Sequence, residues 1–154
     1  MKKILAMLLA LVMVLSLAAC ASTQPAAEPA ASSDAPAESG KTYTVGVCQL
    51  VQHEALDAAT QGFVDALKEA LGDAVTIDVQ NASGDSVNCG TIVNGFVAKG
   101  VDLIMANATP ALTAAVSATA DIPILGTSIT AYGVALDIDD FNGTVGGNVS
   151  GTSD

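Results

Sequence analysis

The sequence has no arginine and no tryptophan, a single histidine, and only five basic residues against 16 acidic ones among 154. Two of the five, Lys2 and Lys3, stand at the very start. A basic stripe able to neutralise phosphates is absent, which excludes a nucleic-acid partner. His53 alone cannot build a histidine-rich metal site, and no Ser–His–Asp or Cys–His order stands out. There is no GxxxxGK[ST] and no GxGxxG, and Val51 to Ala55 contains no glycine. Asp137, Asp139 and Asp140 have the outline of a calcium loop. Counted from Asp137, however, the fifth place is Phe141 and the twelfth is Asn148 instead of Glu, so a solvated acidic loop is expected. No enzyme activity, no metal and no cofactor is expected. The acidic surplus favours solubility without naming a ligand.

What is present begins at the N-terminus. Met1-Lys2-Lys3 precedes a run from Ile4 to Ala19 that is apolar except for Ser16. About 16 apolar residues fall short of the roughly 20 that a membrane span needs. The layout is that of a secretory signal over residues 1–19. The stretch Leu17-Ala18-Ala19-Cys20 resembles the bacterial lipobox, in which the cysteine becomes the mature terminus and carries lipid; the plainer alternative is an ordinary cleaved signal. Residues 20–41 are mostly Ala, Ser, Pro, Glu and Asp, a composition too poor in large apolar groups to fold, and read as a tether. That places the protein outside the cytoplasm, held to the membrane through Cys20. Cys48 and Cys89 remain. Two buried free thiols are the preferred reading; a disulfide is the alternative that an exported setting permits.

Residues 42–154 read as one folded lobe. Tyr43 to Val51 is a nearly continuous apolar strand. Glu54 to Leu71 is a helix, with Leu56, Ala59, Phe63, Leu67 and Ala70 at three- and four-residue spacing. Val75–Val79 is a second strand, Ser86–Lys99 a second helix capped by Asp85, and Val101–Ala106 a third strand. Thr109–Ala120 is a third helix and Ile122–Gly126 a fourth strand, with a fifth expected over Tyr132–Ile138. Past Asp139 the glycine-rich chain shows no closing element. Strands alternating with helices through short loops predict an α/β fold with a doubly wound parallel sheet.

Ligands of such sheets bind beyond the carboxyl ends of the strands. Three ends stand out: Gln49-Leu50-Val51-Gln52-His53, Asn107-Ala108-Thr109-Pro110 and Gly126-Thr127-Ser128-Ile129-Thr130. All are small, polar and free of cations. An anion there would rest on backbone N–H groups, hydroxyls and a helix dipole. Thr109 before Pro110 suits a helix start, either as a cap alone or as a cap that also meets a ligand. His53 fits a ligand contact or a solvated loop equally well.

The stretches "VGVCQLVQHEALDAATQGFVDAL", "VDLIMANATPAL", "IPILGTSITAYGVAL" and "GNVSGTSD" together resemble the N-terminal lobe of ABC transporter substrate-binding lipoproteins, in the group linked to tryptophan and other aromatic amino acids. Where that family commonly has proline, Glu54 stands, which suits a first helical turn. The resemblance implies a two-lobe periplasmic-binding-protein-like clamp, of which residues 42–154 are a truncated first lobe. It implies a monomer that binds a small amino-acid-like ligand and hands it to ABC permease subunits. It implies ligand-binding roles for Thr109, Thr127 and Ser128, with Gln49 and Asn107 lining the cleft, while an acidic residue of the second lobe meets the amino group. A sensor for a surface signalling partner, without transport, would share fold and site.

Overall fold

In Tyr43–Gln49 successive side chains point to opposite sides: Val45 and Val47 to one face, Gly46 and Cys48 to the other, all four buried. This is strand β1 of a computed structural model that describes residues 40–154; the predicted signal, Cys20 and the tether up to Ser39 lie outside the described residues. Helix α1, Glu54–Leu71, has the bounds that its spacing predicts. Exposed His53 caps it, Nδ1 accepting the Ala55 N–H at 3.3 Å, while Glu54 and Asp57 in the first turn and Lys68 in the last match the helix dipole. A 3-10 turn over Gly72–Ala74 leads into β2, Val75–Asn81. Asp85 Oδ1 accepts the Val87 N–H at 2.8 Å and caps α2, Ser86–Lys99, which Gly100 ends in the left-handed region at φ 65°. Then follow β3, Leu103–Asn107; α3, Thr109–Ala118; β4, Ile124–Ile129; a single turn α4, Tyr132–Ala135; and β5, Val149–Ser153. Among the described residues no helix is long and apolar enough to cross a membrane.

Every strand pairing is parallel and the order is β2-β1-β3-β4-β5. The chain steps outward from β1 to β2, then returns past β1 to β3. With right-handed crossovers this reversal puts α1 on one face and α2 and α3 on the other, as the doubly wound reading requires. The contacts agree. A Cβ on Gly46 would lie 2.5 Å from the Phe96 ring of α2, whereas Gln49, three residues further along β1 and so on the opposite face, bonds to α1. The α2–α3 face holds the dry core: Phe96, Val93, Ile104, Leu112, Ile124 and Ile129 are all fully buried. On the other face Thr60 is the buried residue of α1, and Leu56, Phe63 and Leu67 are half-buried.

Two expectations at the C-terminal end are corrected. Tyr132–Ile138 is no strand. A strand would send Tyr132 and Val134 to the same side, but Tyr132 is buried and Val134 is 85 % exposed, with the Ala135 N–H on the Ala131 carbonyl at 2.9 Å. The fifth strand is instead the glycine-bearing Val149–Ser153, which lies in register with β4 from Ile124. Gly151 sits opposite Gly126, where any Cβ would strike the Gly126 backbone and the Tyr132 hydroxyl. The fourth strand also runs later than expected, to Ile129, so Thr127 and Ser128 belong to the strand itself, at the irregularity in its register.

Candidate functional site

The strand order fixes where a site can be. The reversal falls between β1 and β3, and the crevice outside their carboxyl ends is the topological switch point. The loop after β1 and the end of β3 are tied there by Leu50 N–H on the Asn107 carbonyl at 3.1 Å, and β3 to β4 by Ala108 N–H on the Thr127 carbonyl at 3.0 Å. The structure thus brings together Gln49, Asn107, Thr109 and Thr127, with Ser128 one residue beyond.

Thr109 is not the cap of α3. It is the first helical residue, followed by Pro110, and the cap position is Ala108. Ala108 has φ 89° and ψ 154°, a region that side chains other than glycine's rarely enter, and its carbonyl accepts both the Ala111 N–H at 3.0 Å and the Leu112 N–H at 3.1 Å. Helices α1 and α2 have side-chain caps; α3 has none. The positive end of α3 therefore opens onto the sheet edge without an internal acceptor, beside the half-buried Thr109. Ser128, at φ 56°, is a second residue in the left-handed region at the same edge. The described lysines lie at the opposite edge: Lys41 precedes β1, and Lys68 and Lys99 end α1 and α2.

Gln49 and Asn107, expected on the cleft wall, are turned inward. Gln49 is 4 % exposed and Asn107 fully buried. Thr60 Oγ1 donates to Gln49 Oε1 at 2.6 Å and accepts from Asn107 Nδ2 at 2.9 Å. Gln49 Nε2 donates to Asp57 Oδ1 at 2.6 Å and to the Val51 carbonyl at 2.9 Å. Asn107 Nδ2 also donates to the Leu56 carbonyl at 2.8 Å. Their amide nitrogens are taken up by α1 and the Val51 carbonyl, and Asn107 Oδ1 stays buried without a partner. Thr60 and Asp57 escaped the sequence reading; the signal for Thr60 was a hydroxyl among apolar residues on the helix face that meets the sheet.

Other groups lie outside this cluster. His53 serves as a cap. Cys48 and Cys89 are both free and buried, and burial pushes the Cys48 thiol up to about 12, with the neighbouring Cys89 thiol adding to the effect. Burial raises Cys89 as well. Among the described residues no cluster of His, Cys, Asp and Glu could hold a metal. A cavity of about 540 Å³ lies past β4 and β5, lined by Tyr132, Gly133, Ile138 and Phe141. It is mainly apolar, with Thr130 and Ser153 also on its wall, and the helix it borders is the single turn α4, which offers little dipole to an anion. Tyr132, the aromatic nearest the predicted cleft loops, is 6 % exposed, with its hydroxyl donating to the Thr152 carbonyl at 3.4 Å; burial raises its pKa.

Residues 44–154 match the ABC transporter substrate binding protein family. A "Tyrosine-binding protein" of Clostridioides difficile (strain R20291) is 39% identical over 160 residues, which is 99% of this chain and 45% of that relative. Among solved structures, the ligand-free, open structure of a substrate-binding protein with adhesive properties from Clostridium difficile is 42% identical with a TM-score of 0.67, covering 73% of this chain and 39% of the other. An ABC domain in complex with L-Trp from Streptococcus pneumonia is 37% identical with a TM-score of 0.66, over 73% and 39% of the two chains. The chain thus spans less than half the length of these relatives. Parallel sheet, switch-point crevice and sequence match agree, and the chain belongs to the ABC transporter substrate-binding protein family.

Proposed function

We propose that this chain forms the carboxylate-holding lobe of an amino-acid receptor for an ABC importer, lipid-anchored outside the cytoplasm through Cys20. The observation that carries the ligand class is the uncapped N-terminus of α3 at the switch point. A ligand carboxylate replaces the missing cap, taking the Thr109 N–H and the hydroxyls of Thr109, Thr127 and Ser128, with no cation required. Gln49 and Asn107 back this edge from behind. An aromatic side chain on the ligand is favoured by the tyrosine and tryptophan that relatives bind. Membership of the family supports a permease partner. Hydroxyls and a helix N-terminus at the switch point, in a family of substrate-binding proteins, support binding over catalysis.

Paired titrations test the reading. L-tyrosine and L-tryptophan are expected to bind, and tyramine and tryptamine, which lack only the carboxylate, to bind at least about a hundred-fold more weakly, as unpaired buried donors cost about 1–3 kcal/mol each. Equal binding of acids and amines contradicts it.

A further inference from the structure

We propose that Asn107 is a positioning residue for the α3 anion site, held by Thr60, and that it acts by locking the strained Ala108 turn instead of touching ligand. Its role at that site rests on the reading under Proposed function; the lock itself does not.

The geometry is unusual for a residue retained only for stability. Asn107 is fully buried on a central strand, and its Oδ1 has no hydrogen-bond partner. The amide cannot be turned over to cure this. Its Nδ2 already serves two acceptors, the Leu56 carbonyl at 2.8 Å and Thr60 Oγ1 at 2.9 Å, and a flip would set oxygen against the carbonyl. An orphaned buried acceptor is a cost. An apolar residue of similar size would remove that cost and strand no donor. The Leu56 carbonyl is already engaged by the helix ladder, and Thr60 would still donate to Gln49. Stability alone thus gives no reason for asparagine here.

Its neighbour supplies one. Ala108 follows directly, at φ 89° and ψ 154°, and a residue held there must be fixed by its surroundings. Three ties hold it: Leu50 N–H on the Asn107 carbonyl, Ala108 N–H on the Thr127 carbonyl, and the Asn107 side chain anchored to α1. The first two hold the backbone within the sheet, and the third ties residue 107 to α1, so that the turn into α3 is braced from the helix as well as from the neighbouring strands. Thr60 is the hub, since its hydroxyl joins Asn107 of β3 to Gln49 of β1. The site's floor is therefore set by a hydroxyl on the helix behind the sheet.

Hydrogen exchange tests the lock without any ligand. In the free protein Asn107→Leu is expected to speed exchange of the Ala111 and Leu112 amides about ten-fold, the worth of one lost hydrogen bond, while the unfolding midpoint stays within a few degrees. Unchanged exchange at these two amides overturns the proposal. Thr60→Val is expected to speed the same amides and Thr60→Ser to restore them; no rescue by serine also overturns it. Titration with L-tyrosine and L-tryptophan then reads the link to binding. Asn107→Leu is expected to weaken either by about ten-fold at unchanged midpoint, and undiminished binding overturns the positioning role at the site. If neither amino acid binds the wild-type protein, the functional reading fails, and exchange alone decides the lock.

Discussion

The two faces of the sheet are built from different materials. Behind one face, α2 and α3 press Phe96, Val93 and Leu112 against Ile104, Ala106 and Ile124, with Gly46 bare so that the Phe96 ring can lie on the strand. Behind the other, α1 lies half-buried and meets the strand ends through Thr60, Gln49, Asp57 and Asn107, all polar. The first face excludes water and fixes the fold by area and packing. The second holds less apolar surface and fixes direction, because hydrogen bonds specify angles where hydrophobic contact does not. On the proposed reading, the site at the N-terminus of α3 is positioned in part from this half-buried side.

That contrast can be broken from the top. Phe96→Ala empties the dry face and is expected to cost about 3–5 kcal/mol. Gly46→Ala drives a methyl into the same ring and is expected to cost about 1–3 kcal/mol. Thr60→Val on the other face strips Gln49 Oε1 of its donor, at about 1–3 kcal/mol, whereas Phe63→Ala, half-exposed on α1, should cost only about 1 kcal/mol. Chemical denaturation of the four variants ranks them; a Phe63 loss equal to that of Phe96 would erase the difference between the faces.

Two titrating groups sharpen the comparison more gently. Cys48 lies on the dry face with its pKa raised from 9.0 to about 12. The unfolded thiol ionises first, so stability is intact below pH 9.0 and declines as pH rises from there toward 12. Thiol alkylation near neutral pH should accordingly wait for unfolding. Smallest is the rim pair of Lys99 Nζ and Asp78 Oδ2 at 2.6 Å, whose side chains remain 57% and 32% exposed. Lys99 holds the Asp78 carboxyl below its ordinary value, so this contribution is present above that value and lost as pH falls through the lowered one. Lys99→Ala is expected to change stability by about 0–1 kcal/mol.

The long elements were legible because their faces are apolar at one clean period. Glu54–Leu71 and Ser86–Lys99 carry both the spacing and a glycine stop, and Asp85 marks the start of the second, whereas the cap at His53 emerged only in the structure. The end of the chain was not, because its strand is specified by an absence. Gly151 and Gly126 let two backbones and a tyrosine hydroxyl approach, and a glycine-rich polar stretch reads as loop. The hydroxyl-lined edge was visible as polar residues after apolar runs. The inward turn of Gln49 and Asn107 was not, since a polar residue at a strand end looks alike whether it faces solvent or the helix behind the sheet. Ala108 was hidden for a simpler reason: nothing in alanine advertises a positive φ.

The most direct measurement is a crystal structure of the protein with bound L-tyrosine. The account predicts the ligand carboxylate within about 3.2 Å of the Thr109 amide nitrogen, with the Asn107 amide still on Leu56 and Thr60. A carboxylate placed in the Tyr132–Phe141 cavity, or anywhere away from the N-terminus of α3, would contradict it.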